Sequence, residues 1–223
     1  MDLPKIAYRK IKKLILNQEI SAGQKLNHED LTKRLKISQT PIREALSRLV
    51  VEGYVTKLPN KGYHVTEITE DELVELFDVR EALETFCIGK VIERITPAHL
   101  IGLKNHLKLH TKALAKGTPL IDRLMIHSDF HVRVAGIAGN RKILQILEDA
   151  CEKIVLQRKA KGVLGIEFEV HSAHEDLLKA IERKDVEAAK RITARHLQSV
   201  KAQILTQIRQ RQQLIKAKGV SSN

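Results

Sequence analysis

The segment SQTPIREALSRLVVEGYVTKLPNKGYHV, residues 38–65, changes period half-way along. Its front half is helical. Ser38 or Thr40 supplies the cap, Pro41 sits in the first turn where its missing N–H costs nothing, and Ile42, Ala45, Leu46 and Leu49 form an i, i+3, i+4, i+7 stripe. Gln39, Arg43 and Ser47 fall on the opposite side, with Thr40 beside them at the N-terminal end. The back half reads as two strands, residues 54–57 and 63–66, joined by the turn cluster Leu58, Pro59, Asn60, Lys61 and Gly62. A polar-faced helix followed by a hairpin with a cationic tip is the pattern of a reading head for DNA.

Working outward toward the N-terminus, Ala7, Ile11, Leu14 and Ile15 share one face of a first helix that ends before Ser21, Ala22 and Gly23. Asn27 caps a short second helix, with Asp30 placed to reach back and Leu31 and Leu35 buried. The segment of residues 38–51 then becomes the third, reading helix of a helix-turn-helix, and the hairpin becomes its wing. Gln pairs bidentately with adenine and Arg with guanine; Thr reaches a phosphate or a thymine methyl. Lys57 and Lys61 suit the phosphate backbone, and Gly62 allows a close approach. A plain three-helix bundle with a polar face is the alternative for the helices alone, and the wing argues against it.

Composition points the same way. The 223 residues carry a net charge of +12 and a pI near 9.7, which favours a polyanionic partner, nucleic acid ahead of an anionic membrane surface. There is no Trp and little aromatic content, which disfavours base-stacking platforms for single strands. No apolar run approaches a membrane span and the N-terminus has no signal-peptide core, so a cytoplasmic location is expected. Cys87 and Cys151 lie far apart outside any C-x-x-C, and both are expected as buried thiols.

The segment LNHEDLTKRLKISQTPIREALSRLVVEGYV resembles the winged helix-turn-helix of GntR-family bacterial transcription regulators, without gaps from Gly23 to Val55. The resemblance implies DNA contacts from Thr40 and Arg43 and a wing tip at Gly62. Two letters depart: the family commonly has Arg where this chain has Gln39 and Glu29, so the family's usual operator is not expected here.

Thr69-x-x-Glu72 reads as a capping box that opens a long helix, giving domains at residues 1–68 and 69–223. Leu73, Leu76, Phe77, Leu83, Cys87 and Val91 share the buried face of that helix, with Arg80 in their midst and Glu84 four residues on. Arg80 therefore either pairs with Glu84 or anchors a carboxylate ligand. Further helices are expected over residues 97–115, 120–138, 142–159, 166–183 and 186–215, six in all with the first. The fold class is mostly α: an N-terminal winged helix-turn-helix of three helices plus a β-hairpin, and a C-terminal antiparallel all-α bundle.

Four histidines fall on inner faces. His127 and His131 are i and i+4 with Leu124, Phe130, Val134 and Ala138; His174 sits with Leu177, Leu178 and Ile181, and His196 with Ala189, Ile192 and Val200. A lone inward His is usually a satisfied core residue. Four on three helices of one bundle are costly without hydrogen bonds or a cation, and an i, i+4 pair suits a metal. His171 is read as surface. Arg158 faces inward among Leu147, Cys151, Ile154 and Val155, a second candidate for an anionic effector or a structural ion pair. From Lys190 onward the chain has no acidic residue, and residues 203–218 read as a polar helix fraying at the end.

LFDVREALE, then FH before AGN, then His174 and His196 resemble the helical effector domain called FCD, found behind the GntR head in the FadR subfamily; six helices place it near the VanR-like group. The resemblance implies a zinc or nickel ion held by an Asp and three His, here His131, His174 and His196. His127 stands where the family has the Asp, and Asp129 points off the buried arc. The expected function is a homodimeric transcription regulator, a repressor by family habit. It would read a near-palindromic operator and respond to a small organic or sugar acid. The rival reading is a metal-dependent hydrolase with a nucleic-acid-targeting module, disfavoured because Glu175 and Asp129 fall off the arc and no acid or base is placed near the histidines.

Overall fold

The computed structural model describes residues 2–118, 120–163 and 167–220. The chain divides into two compact units, Met1–Ile68 and Thr69–Asn223.

The first unit opens with α1 (Leu3–Leu16), capped by Asp2, and buries the expected Ala7, Ile11, Leu14 and Ile15. Helix α2 (His28–Leu35) starts at Asn27, whose Oδ1 accepts from Glu29 N at 3.0 Å. The expected return contact from Asp30 is not among the described hydrogen bonds. Lys36 closes α2 in the left-handed region, φ 54°, and turns the chain toward α3 (Gln39–Val51). Ser38 holds the cap position of α3 without a side-chain hydrogen bond, and Pro41 lies in the first turn. Ile42, Leu46 and Leu49 are fully buried, so α3 packs on α1 through the stripe its spacing foretold.

The wing strands run one residue later or earlier than the sequence suggested, β2 (Val55–Leu58) and β3 (Gly62–Val65). A further strand, β1 (Lys25–Leu26), pairs with β3, giving the antiparallel order β1-β3-β2. Two residues are too few to show alternation, so β1 left no periodic trace in the sequence. At the hairpin tip Asn60 and Gly62 both take positive φ, 57° and 85°, as the tight reversal from Leu58 to Gly62 requires.

The second unit is all helical: α4 (Glu70–Arg94), α5 (Pro97–Ala115), α6 (Leu120–Ile137), α7 (Arg141–Ala160), α8 (Glu167–Glu182) and α9 (Val186–Val220). The Thr69 capping box is complete, with Glu72 N donating to the Thr69 hydroxyl and Thr69 N to the Glu72 carboxylate. Cys87, Ile88, Val91, Leu103, Phe130, Val134, Leu147, Leu177, Ile181 and Ala189 form one continuous core. Along the α4–α9 seam, Asp78 pairs with Lys201, Glu81 accepts from Gln198, and Glu70 pairs with Arg209.

The stretch expected as a polar tail is more firmly tied than that. Ile204 and Ile208, at i and i+4, are buried against the bundle, so α9 keeps an apolar edge well past residue 203. Both cysteines are buried free thiols. No helix among the described residues is long and apolar enough to cross a membrane.

Candidate metal centre and DNA-reading face

In the first unit, α3 turns Gln39, Thr40, Arg43 and Ser47 to solvent, because its opposite face is consumed by packing on α1. Arg48, also exposed on α3, is engaged elsewhere: its Nε bonds Glu52 at 2.9 Å and its guanidinium lies 4.1 Å from the Tyr8 ring centroid. Lys57 and Lys61 are exposed on the wing, Lys57 with its ammonium 5.7 Å from the Tyr63 ring. Strand β1 adds a cation that was not foreseen. The Lys25 stem runs beside Gly62, its Cε 3.7 Å from where a β-carbon would stand. Glu29 is exposed in the first turn of α2, beside Asp30.

In the second unit, α6 supplies His127 and His131, α8 supplies His174 and α9 supplies His196, all buried. The structure brings the four together, with one potential ligand atom from each within 4.8 Å of every other. His174 Nε2 lies 3.1 Å and His196 Nε2 3.3 Å from His131 Nε2. The rings of His127 and His174 stack at 4.9 Å, and those of His131 and His196 at 5.2 Å. The His171 side chain lies outside the described residues.

Beneath this cluster is a group the sequence reading had assigned only to Arg80. Glu84 Oε1 accepts from Arg80 Nε at 2.9 Å, forming the anticipated intrahelical ion pair, and Glu84 Oε2 accepts from His131 Nδ1 at 2.7 Å. Both oxygens are buried and both are used. Against the penalty of burial, His131 and Arg80 hold the Glu84 carboxyl below the usual carboxylate range. Burial holds His131 itself neutral, with Glu84 opposing that effect, so the permanent counter-charge is the Arg80 guanidinium and His131 contributes an N–H. Burial and the neighbouring imidazoles push His127 well below the ordinary histidine range, and burial with His131 and Arg80 nearby takes His196 down to about 3.

These states define the donor set. An ionised carboxylate only accepts, so the His131 proton sits on Nδ1 and the Nε2 lone pair faces His174 and His196. The two N···N separations match the edge of a tetrahedron of nitrogens around zinc, ~3.3 Å for metal–nitrogen bonds of about 2.0–2.1 Å. His127 Nδ1 is buried with no hydrogen-bond partner among the described residues, the kind of orphan a cation would satisfy. The residues fit a divalent ion.

Asp129, by contrast, is not part of the four-histidine cluster: it pairs with Arg133 and lies 3.6 Å from His106 Nδ1. Glu175 is exposed. His106 and His110 of α5 are buried as well, His106 Nε2 donating to the Ile126 carbonyl oxygen at 2.7 Å and His110 lying 6.1 Å, ring to ring, from His127. Their i, i+4 spacing was the available signal. Arg158 is buried on α7. Arg80 Nη2 has no hydrogen-bond partner among the described residues.

Comparison with known proteins matches residues 5–65 to the model of bacterial regulatory proteins of the gntR family and residues 75–199 to the FCD domain. The chain belongs to the GntR family. It is a DNA-binding transcription regulator with an FCD domain, and its relatives give no support to a hydrolase. The Escherichia coli K12 transcriptional repressor GlaR is 29% identical over 199 residues, 85% of this chain and 90% of that protein. The Nta operon transcriptional regulator of Aminobacter aminovorans is 29% identical over 138 residues, 61% of this chain and 64% of its own length. Among solved structures, Escherichia coli McbR/YncC superposes with a TM-score of 0.74 at 22% identity, covering 92% of this chain and 98% of that one. A GntR regulator from Rhodococcus sp. RHA1 gives 0.79 at 18% identity, covering 92% and 99%. Members of the family bind DNA, FCD domains bind small effectors and metals, and the histidine cluster here could hold a metal ion.

Proposed function

We propose that this GntR regulator is a cytoplasmic homodimeric repressor whose affinity for a near-palindromic operator is set by a small carboxylate effector in a metal-containing pocket of the FCD domain. The convergence of four buried histidines over the Arg80–Glu84 pair carries this reading. A cluster of neutral nitrogens with no anionic ligand leaves a divalent ion's charge largely uncompensated, and an organic or sugar acid supplies the missing anion. His127, His131, His174 and His196 hold the ion, zinc or nickel by ligand type; when bound it supplies a Lewis-acid anchor for a carboxylate. Arg80 and Arg158, both buried, are the cations we assign to such a grip, and the repressor name of GlaR favours repression.

At the DNA, Gln39, Arg43 and Ser47 read base edges in the major groove, and Thr40 takes a phosphate at the N-terminus of α3, where the helix dipole favours an anion. Lys57, Lys61 and Gly62 bring the wing to the backbone. Two-fold symmetry of the dimer sets the palindromy. Mobility shifts on the chain's own promoter fragment test this, with a sequence-preferring complex expected and released by one member of a panel of small acids. A chain that binds that fragment no better than random DNA refutes it.

A further inference from the structure

The metal-ligand helices are α6, α8 and α9; α4 contributes no histidine to the cluster. What α4 contributes is Glu84, buried and joined to His131 Nδ1 at 2.7 Å, with its second oxygen clamped by Arg80 from one turn earlier. The clamp has two consequences. It keeps a full negative charge in the core next to the cluster, balanced by a guanidinium that cannot lose its proton. It also occupies the oxygen that would otherwise be available to a cation, so the carboxylate stays behind His131 rather than beside it.

We infer that Glu84 is a positioning residue that fixes the ring plane and tautomer of His131 and so presents the Nε2 lone pair to the metal. The inference rests on the histidine cluster being a metal site. The geometry is the reason for it: of the ring's two nitrogens, one meets an acceptor-only carboxylate and the other meets two further imidazole nitrogens at 3.1 and 3.3 Å. With the proton held on Nδ1, Nε2 is left as the donor atom, and the carboxylate raises its basicity. Since α4 follows directly on the Thr69 cap at the start of the unit, the Glu84–His131 bond joins the cluster to the first helix of that unit.

The test uses the full chain, stripped of metal and titrated with zinc against a competing chelating dye, as wild type, Glu84→Ala and Glu84→Gln. A glutamine keeps the volume but offers one acceptor to two donors, Arg80 Nε and His131 Nδ1, so it cannot serve both. Both variants are expected to lose about 10–100-fold in zinc affinity. Glu75→Gln, at an exposed position of α4, should leave zinc affinity unchanged. Ring-nitrogen NMR of the metal-free wild type should show His131 protonated at Nδ1, with that preference lost in Glu84→Ala. Should the alanine variant fail to fold, the glutamine variant and the wild-type tautomer decide the matter. Variants that bind zinc as tightly as wild type, or a wild-type His131 protonated at Nε2, overturn the positioning role while leaving the metal site intact. A wild-type chain that takes up no zinc overturns both.

Discussion

His174 Nε2 lies 3.1 Å from His131 Nε2, although the residues come from α8 and α6 and are 43 positions apart. Two imidazole nitrogens facing each other at that distance share a proton or a cation. A resident metal predicts about one ion per chain by elemental analysis after purification without chelators or histidine-tag columns, and none in His174→Ala. Zinc at about 100 times its dissociation constant should stabilise the wild-type fold by about 2.7 kcal/mol in denaturant melts, and the His174→Ala fold hardly at all. Equal stabilisation of both proteins contradicts the site.

The metal-free protein should be acid-sensitive. His127, His131 and His196 are all held below the ordinary histidine pKa by burial, so below about pH 6.5 the unfolded chain binds protons that the folded chain refuses. The unfolded state then carries more protons, and stability rises with pH. The contribution is complete above about pH 6.5 and is lost as pH falls toward the folded value, about 3 for His196. Urea midpoints at pH 7.5 and 5 should fall in wild type and fall less in His127→Leu, which removes one such group.

Arg43 is exposed on α3 and has no described partner to lose when it turns to a base. Arg43→Ala should weaken operator binding by about 1–3 kcal/mol and relax preference at one base pair. Lys61→Ala, at the wing, should weaken all sequences alike and reduce the slope of log affinity against log salt by about 1. Fluorescence anisotropy across a salt series on operator and random duplexes separates the two behaviours.

Thr69 closes a complete capping box at the head of α4. Thr69→Ala should cost about 1 kcal/mol in the second unit, read from denaturant melts, through loss of the bond to Glu72 N.

Most of the fold was legible in the chain because its helices are amphipathic and punctuated. The stripe Ile42, Ala45, Leu46, Leu49 placed α3 and, by exclusion, exposed Gln39 and Arg43. Inward-facing His127 and His131 showed on the wheel, and the structure joins them to His174 and His196. Glu84 was harder to read. Its spacing to Arg80 explained it locally, so nothing in the sequence called for the bond to His131 from another helix. Strand β1 was missed for a different reason, since two residues carry no period, and Lys25 beside the wing was missed with it. Residues 203–218 read as a polar helix, and only the packing of α9 makes Ile204 and Ile208 core.

The most direct measurement is the affinity of the metal-loaded chain for its own promoter fragment, by fluorescence anisotropy, across a panel of small organic and sugar acids, in wild type and in His174→Ala. A nanomolar-class, sequence-preferring complex that one acid weakens at least about ten-fold in wild type but not in the variant is the expected result. A complex that no acid alters, or that responds identically in His174→Ala, contradicts control of DNA binding through the histidine cluster.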